Sequence, residues 1–314
     1  MLKFAVKRIL LALLTLLGAS ILTFTLGRLA PGDPVDILLS GVANPTLEEI
    51  EIAREILGLD RPVHMQYVSW LGRVLQGDFG YSYRTRIPVL QEIWIRLPAT
   101  MELMLASVVV MIVVSFLLGI VSALYRDKHL DYVIRFFNTL TAAIPTFCVG
   151  ILLIIVFAVR LSWLPVLPGG DFRQLILPAL TIGLGSGAGL SRLLRSQIIQ
   201  VMQKEHVNAA LAFGVSKSRV IFNNVLKNAM PPVITNIGLF AGALLGGSAI
   251  IETLFSWPGV GRYAVEAIFG RDYPIMQAYA LIMATIYIAI NLLTDLINCA
   301  FAPTEDILGV SMDG

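Results

Sequence analysis

The stretch that decides the fold is QIIQVMQKEHVNAALAFGVSKSRVIFNNVLKNAMPPV, Gln197–Val233, the longest polar break in the second half of an otherwise apolar chain. Its first half sets Ile198, Ile199, Val201, Met202 and Val207 among Gln200, Gln203 and Lys204 at helical spacing. Gly214 can take the left-handed conformation that ends a helix. Ser216 is placed to cap a second helix carrying Val220, Ile221, Val225 and Leu226, which Pro231-Pro232 is expected to stop. The stretch reads as two short amphipathic helices joined by a glycine bend and slung between membrane spans. Such a unit suits a groove on another protein, or an amphipathic loop resting on lipid headgroups. The pattern alone leaves both open.

Working outward, the 314 residues are 57% hydrophobic and only 14% charged, against about 25% charged in soluble domains. With a mean hydropathy of +0.80, this is the composition of a polytopic membrane protein. A net charge of +2, with basic residues scattered, gives no footprint for nucleic acid. Cys148 and Cys299 lie in apolar runs without CxxC spacing and read as small buried hydrophobes. Six uncharged runs can each cross a bilayer, which takes about 20 helical residues: Ile9–Gly27, Leu103–Tyr125, Phe136–Val159, Gln174–Ser191, Asn228–Ile251 and Tyr273–Thr294, the last continuing to about Ala300. The first is too long for a signal-peptide core and is expected to be retained. The fold class is therefore all-α, polytopic, with six spans, a small helical outer loop and a polar inner loop.

With both termini in the cytoplasm, all six lysines fall inside, as do Arg126, Arg192, Arg195 and Arg219, while the short outer loops carry few cations. The region Ala30–Pro98 is then outside. In it Thr46-x-x-Glu49 is a capping box that opens a helix to about Leu57, and a second helix is expected from Pro62 to Leu75. Pro145 should kink the third span. Gly183, Gly185, Gly187 and Gly189 form two interleaved GxxxG pairs in the fourth span, and Gly242 and Gly246 repeat the spacing in the fifth, all suited to close helix packing. Glu102 opens the second span as a cap or a transport residue. Asp295 shares a face of the last span with Asn291, Thr294 and Asn298; an acid there marks a functional site or pairs with a neighbouring helix.

The central stretch resembles the EAA loop of permease subunits of binding-protein-dependent ABC importers. Ala209, Ala210 and Gly214 stand in register with Glu-Ala-Ala-x-x-x-Gly, and Asn208 replaces the glutamate. The run Leu226-Lys227-Asn228-Ala229-Met230-Pro231-Pro232 is similar to the dipeptide/oligopeptide/nickel branch of that family. So are Pro31-Gly32-Asp33-Pro34, the string Gly58–Pro62, and Gly77-Asp78-Phe79-Gly80-Tyr81-Ser82. The most specific match is Glu252-Thr253-Leu254-Phe255-Ser256-Trp257-Pro258-Gly259-Val260-Gly261 followed by Arg271-Asp272-Tyr273-Pro274. The resemblance runs from Pro31 to about residue 303.

What the resemblance implies is a permease subunit in the bacterial inner membrane, paired with a second, homologous permease. Two cytoplasmic ATPases and an extracytoplasmic binding protein complete the assembly. ATP and Mg belong to the ATPases, since this chain has no GxxxxGK[ST] loop and needs no cofactor or metal of its own. Its regions are expected at 1–29 (first span), 30–98 (outer loop), 99–304 (permease core, with a coupling loop at about 192–229) and 305–314 (tail). Asn208, Ala209, Ala210, Gly214 and Leu226 are expected to meet the ATPase. Arg61, Trp257, Gly259, Gly261 and Arg262 are expected to meet the binding protein, while Pro145 and Asp295 are placed on the path. No acid–base–nucleophile set points to an enzyme, and no inverted repeat to a secondary transporter. The short outer loop Arg160–Arg173 and His206 resemble nickel-type permeases, placing nickel, free or chelated, ahead of di- or oligopeptides. His64, His129 and His206 all fall between the expected spans, and none clusters into a metal cage.

Overall fold

The computed structural model describes residues 2–29, 35, 39, 44–166 and 172–301. Pro31–Pro34, most of the Arg160–Arg173 loop's second half and the tail beyond 301 lie outside them. Regular structure among the described residues is helical. The order is α1 (Leu2–Leu29), α2 (Leu47–Ile56), α3 (Val63–Leu75), α4 (Val89–Leu124), α5 (His129–Ala143) and α6 (Thr146–Leu153), which runs on as a π-helix over Ile154–Arg160. Then come α7 (Arg173–Met202), α8 (Glu205–Ala212), α9 (Lys217–Val220), a second π segment over Ile221–Val225, α10 (Leu226–Gly247), α11 (Ala249–Leu254), α12 (Val260–Phe269) and α13 (Tyr273–Phe301). Among the described residues, five runs are long and apolar enough to span a membrane: α1, α4, α7, α9 through α10, and α13. The bent pair α5–α6 makes a sixth if counted as one span. The all-α polytopic architecture expected from the sequence is the one observed.

Three boundaries differ from the sequence reading, each for a physical reason. Helix α4 begins at Val89, so Pro98 lies inside it and Glu102 well along it, on an exposed face. Val89, Ile93 and Leu97 form a buried stripe at i, i+4, i+8. Burying three such side chains is worth about 1.5–3 kcal/mol each, which outweighs the roughly 3 kcal/mol a helix-interior proline costs. Pro145 does more than kink the third span. Ile144 is extended (ψ 128°), Pro145 caps α6, and α5 and α6 meet at 103°. The residue before proline is excluded from helical backbone, and here the chain follows that preference fully. By contrast, Pro231-Pro232 stops nothing, and α9, the π segment and α10 are one run. In a bilayer, backbone freed by proline must find partners within the protein. The carbonyls that Pro231 and Pro232 leave without an N–H are those of Lys227 and Asn228, one turn back; past the prolines, Thr235 Oγ1 and Asn236 Nδ2 donate to the carbonyls of Pro231 (3.1 Å) and Pro232 (2.9 Å).

The chain divides into two compact units. One comprises Met1–Thr100 and Pro258–Ile288, the other Met101–Trp257 and Ala289–Gly314. In the first, α3 is held to α1 by the rings of Phe24, Tyr67 and Trp70, with Ser20 Oγ and Tyr67 Oη 2.8 Å apart. In the second, α7 is the central helix, 61% buried over its apolar window against 11% for α1. Gly183 and Gly187 lie against Val110 and Val114 of α4, and Gly119 of α4 lies against Leu194 of α7. Gly185 and Gly189 face open space. Only one of the two GxxxG pairs is therefore a packing face within the chain. A buried carboxylate ties three elements here. Asp131 accepts from Ser122 Oγ (2.5 Å), from the Asp127 backbone N–H (3.0 Å), and from Arg195 through Nε (2.9 Å) and Nη2 (2.6 Å).

Candidate functional site

Two surfaces gather the residues singled out from the sequence. The first is the end of α7, α8 and the start of α9. Residues Ile198–Met202 belong to α7, so the connection itself is shorter than expected, Gln203 to Ser216 around an eight-residue α8. Gly214 has φ +80°, and no neighbouring atom would meet a Cβ there, so the bend is required by backbone conformation alone. Val207 is 1% exposed and anchors α8 on an apolar cluster that includes Ile198, Val201, Val220 and Val225. Ala210 packs against that cluster, while Ala209, on the other face, is exposed. The sequence reading put both alanines at the contact; the structure assigns Ala210 to the support. Leu226 is likewise part of the support, packed on the cluster within α10. Asn208 lies in α8, but its side chain and that of His206 are outside the described residues.

One residue the sequence reading missed is Phe213. It is 88% exposed at the tip of the segment, immediately before the glycine bend. An aromatic ring on a polar loop next to a small-residue helix face is the form of a knob for a partner's groove. Hydropathy cannot reveal it, because a phenylalanine in an apolar chain scores as core.

The second surface lies in the unit built from the first hundred residues and 258–288. The capping box opens α2 as expected: Thr46 Oγ1 accepts from Glu49 N–H, and Glu49 Oε2 accepts from Thr46 N–H. Those hydrogen bonds hold the Glu49 carboxyl below its ordinary value. Loop residues Ser82–Arg84 wrap a buried acid from the Arg-Asp-Tyr-Pro run. Asp272 accepts from Ser82 Oγ (2.5 Å), Tyr83 N–H (3.2 Å) and Arg84 N–H (3.4 Å). Tyr83 stands edge-on to Tyr273, and burial pushes its phenol up to about 12. Beside this clamp is a cavity of about 640 Å³, with Arg28, Arg61, Arg73 and Arg86 against Glu55 and Asp78. Gln66 lines it too. Its Nε2 donates to the Arg61 carbonyl at 2.6 Å, and its Oε1 is buried without a partner among the described residues.

Of the residues expected to touch a binding protein, Arg61 is exposed, and Arg262 is partly exposed with its Nε 2.9 Å from Glu266. Trp257, Gly259 and Gly261 are buried. They cannot offer a surface; the turn they belong to is folded inward, with Ser256 at φ +52° and Trp257 N–H donating to the Glu252 carbonyl at 2.7 Å. Gly259 precedes α12, whose first N–H, on Val260, is capped by Thr100 Oγ1 at 2.8 Å. Pro145 sits at the α5–α6 break, and Gly150 just beyond it packs on Leu254, Thr181 and Phe255. Asp295 is half-buried on α13, next to Thr294, which packs on Gly238, and one turn from Asn298, which donates to Thr235 at 2.8 Å.

The comparisons with known proteins cover nearly the whole chain. Residues 115–305 match the family of binding-protein-dependent transport system inner membrane components, and residues 1–106 match that family's N-terminal part. Glutathione transport system permease proteins GsiC from Salmonella typhi and Escherichia coli (strain K12) are each 37% identical over 303 residues, 96% of this chain and 98% of the relative. Among solved structures, the MetNI methionine ABC transporter in inward-facing conformations aligns with a TM-score of 0.57 at 15% identity, over 68% of this chain and 96% of that one. That last likeness concerns the fold alone.

Proposed function

Because the chain belongs to the family of binding-protein-dependent transport system inner membrane components, we propose that this ABC importer permease, not itself an enzyme, carries small peptides. The observation that supports a peptide cargo is the 37% identity, end to end, with permeases named for glutathione, a tripeptide. Nickel, which the short Arg160–Arg173 loop placed first, has no comparable support. The cationic, aromatic-walled cavity favours a partner or cargo bearing carboxylates.

In this reading both termini are cytoplasmic, as the lysine distribution favours. The segment with Ala209, Phe213 and Gly214 then meets an ATPase subunit, and the Arg61 and Arg262 region meets the binding protein. A second permease of the same kind completes the pair. Closure of the ATPase dimer pushes on α8, and α7 and α9–α10 transmit the push because Val207 and Ala210 key α8 onto their shared apolar cluster. Specificity rests mainly with the binding protein.

The test is uptake by proteoliposomes holding the permease pair, the ATPases and the binding protein, together with calorimetry on the binding protein alone. Labelled glutathione and di- or tripeptides are expected to enter only with ATP. Binding of Ni²⁺ or Ni²⁺–histidine with no peptide binding would reverse the cargo assignment, and uptake on an ion gradient without ATPases would remove the mechanism.

A further inference from the structure

The connection between α4 and α5, with Arg126-Asp127-Lys128, is short and strongly polar between two apolar helices. It rims a groove of about 480 Å³ whose other walls are α5 and the last turns of α7, and four arginines line it: 126, 135, 192 and 195. Two of these are already matched. Arg126 Nε lies 3.2 Å from Asp127 Oδ2, and Arg195 grips the buried Asp131. The other two are not. Arg135 stands over the Tyr132 ring at 5.7 Å, and neither it nor the exposed Arg192 has a carboxylate partner among the described residues. Positive charge in excess thus collects in a concave site at one end of the spans.

On α5, Val133, Phe136, Phe137 and Leu140 are all exposed. In a bilayer they lie against acyl chains; Phe136 and Leu140 each follow by one position a residue that lines the groove, Arg135 and Thr139. A guanidinium fork matches phosphate oxygens two at a time, and an apolar flank matches a hydrocarbon tail. A soluble phosphate or an acidic peptide satisfies the first condition and not the second.

We propose that this groove binds the headgroup of an anionic phospholipid, with its phosphate at Arg135 and Arg192 and its acyl chains along the exposed face of α5. Basic pockets between membrane helices are suited to such headgroups on general electrostatic grounds. The site is separate from the cargo assignment and from α8.

The experiment is native mass spectrometry of the assembled transporter, released from membranes containing phosphatidylethanolamine and phosphatidylglycerol. The wild type should keep phosphatidylglycerol in preference. Arg135→Gln combined with Arg192→Gln should weaken that preference about 30-fold, the effect of two cations at a membrane surface. Arg135→Lys with Arg192→Lys should retain most of it, which separates lost charge from lost folding. No preference in the wild type, or full preference in the Gln variant, overturns the proposal. Inorganic phosphate is the control arm. If calorimetry finds phosphate binding that the Gln variant abolishes, with no lipid preference, the groove serves a soluble anion and the lipid assignment fails.

Discussion

Gly183→Ala adds one methyl group to a helix interface that has no room for it. The new Cβ would lie 2.5 Å from Val110 Cβ and Cγ1 and 3.0 Å from the Ser107 carbonyl oxygen. Carbon atoms rest at about 3.5–4.0 Å, so α4 and α7 must part by roughly 1 Å. Nothing local can yield, because Val110 is β-branched and stiff in a helix and Ser107 contributes backbone. A gap of that size forfeits about a quarter to a half of each dispersion contact along the seam, and overpacking of this kind costs about 1–3 kcal/mol. Alanine's better helix propensity returns at most about 1 kcal/mol. Gly187→Ala meets Val114 Cγ1 at 2.8 Å and should cost less, while Gly185→Ala and Gly189→Ala meet nothing within 4 Å. Thermal melting of the detergent-solubilised chain should rank Gly185→Ala and Gly189→Ala at or above wild type, then Gly187→Ala, then Gly183→Ala. Val110→Ala should partly rescue the last, since the two sites share one contact. If Gly185→Ala melts as low as Gly183→Ala, the seam between α4 and α7 has been misplaced.

Asp131→Ala leaves Arg195 without its partner in the network with Ser122, and removing one member of a buried pair costs about 3–5 kcal/mol; expression and melting should both fall below Ser122→Ala, which loses one hydrogen bond to a charged group worth about 1.5–3 kcal/mol. Gly214→Val forces a β-branched side chain to φ +80°, and Phe213→Ala removes the exposed ring; both should insert normally yet lose ATPase co-purification and uptake, and unchanged co-purification would refute the contact. Tyr83 carries a phenol raised from 10.0 to about 12, by burial first and Asp272 next, with Arg28 opposing. Its neutral form is favoured by the fold, so this contribution is complete below pH 10 and lost as pH rises from 10 to 12. Phenolate absorbance should show a late-titrating component near pH 12 that Tyr83→Phe removes; burial also raises Tyr263, so its part of the late signal should remain. The Glu49 carboxyl moves the opposite way, so its cap is present above pH 4.5 and lost as pH falls below it; hydrogen exchange in α2 should quicken on acidification, and in Thr46→Ala at neutral pH.

Much of the fold was legible because its signals are local. The Thr46–Glu49 box, Gly58 at φ +65° and Gly77 at φ +83° bound α2 and α3 within a residue or two of where turn chemistry puts them. Proline was harder, since its effect depends on what surrounds it. Pro145 follows an isoleucine free to extend, and the chain breaks there. Pro231-Pro232 lies in a span that reaches them through a π segment, Ile221–Val225, and the helix runs through. Pro98 is carried by the buried stripe of Val89, Ile93 and Leu97. Prolines at three sites, with the same intrinsic penalty, thus gave different outcomes, decided by what surrounds each. Which glycine pair packs within the chain was not in the sequence at all, because GxxxG spacing is the same on both faces of α7.

The candidate surfaces show where resemblance and exposure part company. A motif string marks residues that a family holds together, and it cannot say which of them face outward. In α8 the spacing did contain the answer. Val207 and Ala210 are three apart, hence on one face, so once Val207 is taken as the anchor, Ala210 must be support and Ala209 must look outward. The Trp257–Gly261 turn contained no such clue, because an aromatic beside Pro-Gly can cap a surface or plug a core with equal ease. Only its geometry decides: Trp257 N–H turns back to the Glu252 carbonyl, and Thr100 caps Val260. Any partner that recognises this region must therefore read what the turn supports, the partly exposed Arg262 on the first turn of α12, and not the tryptophan itself.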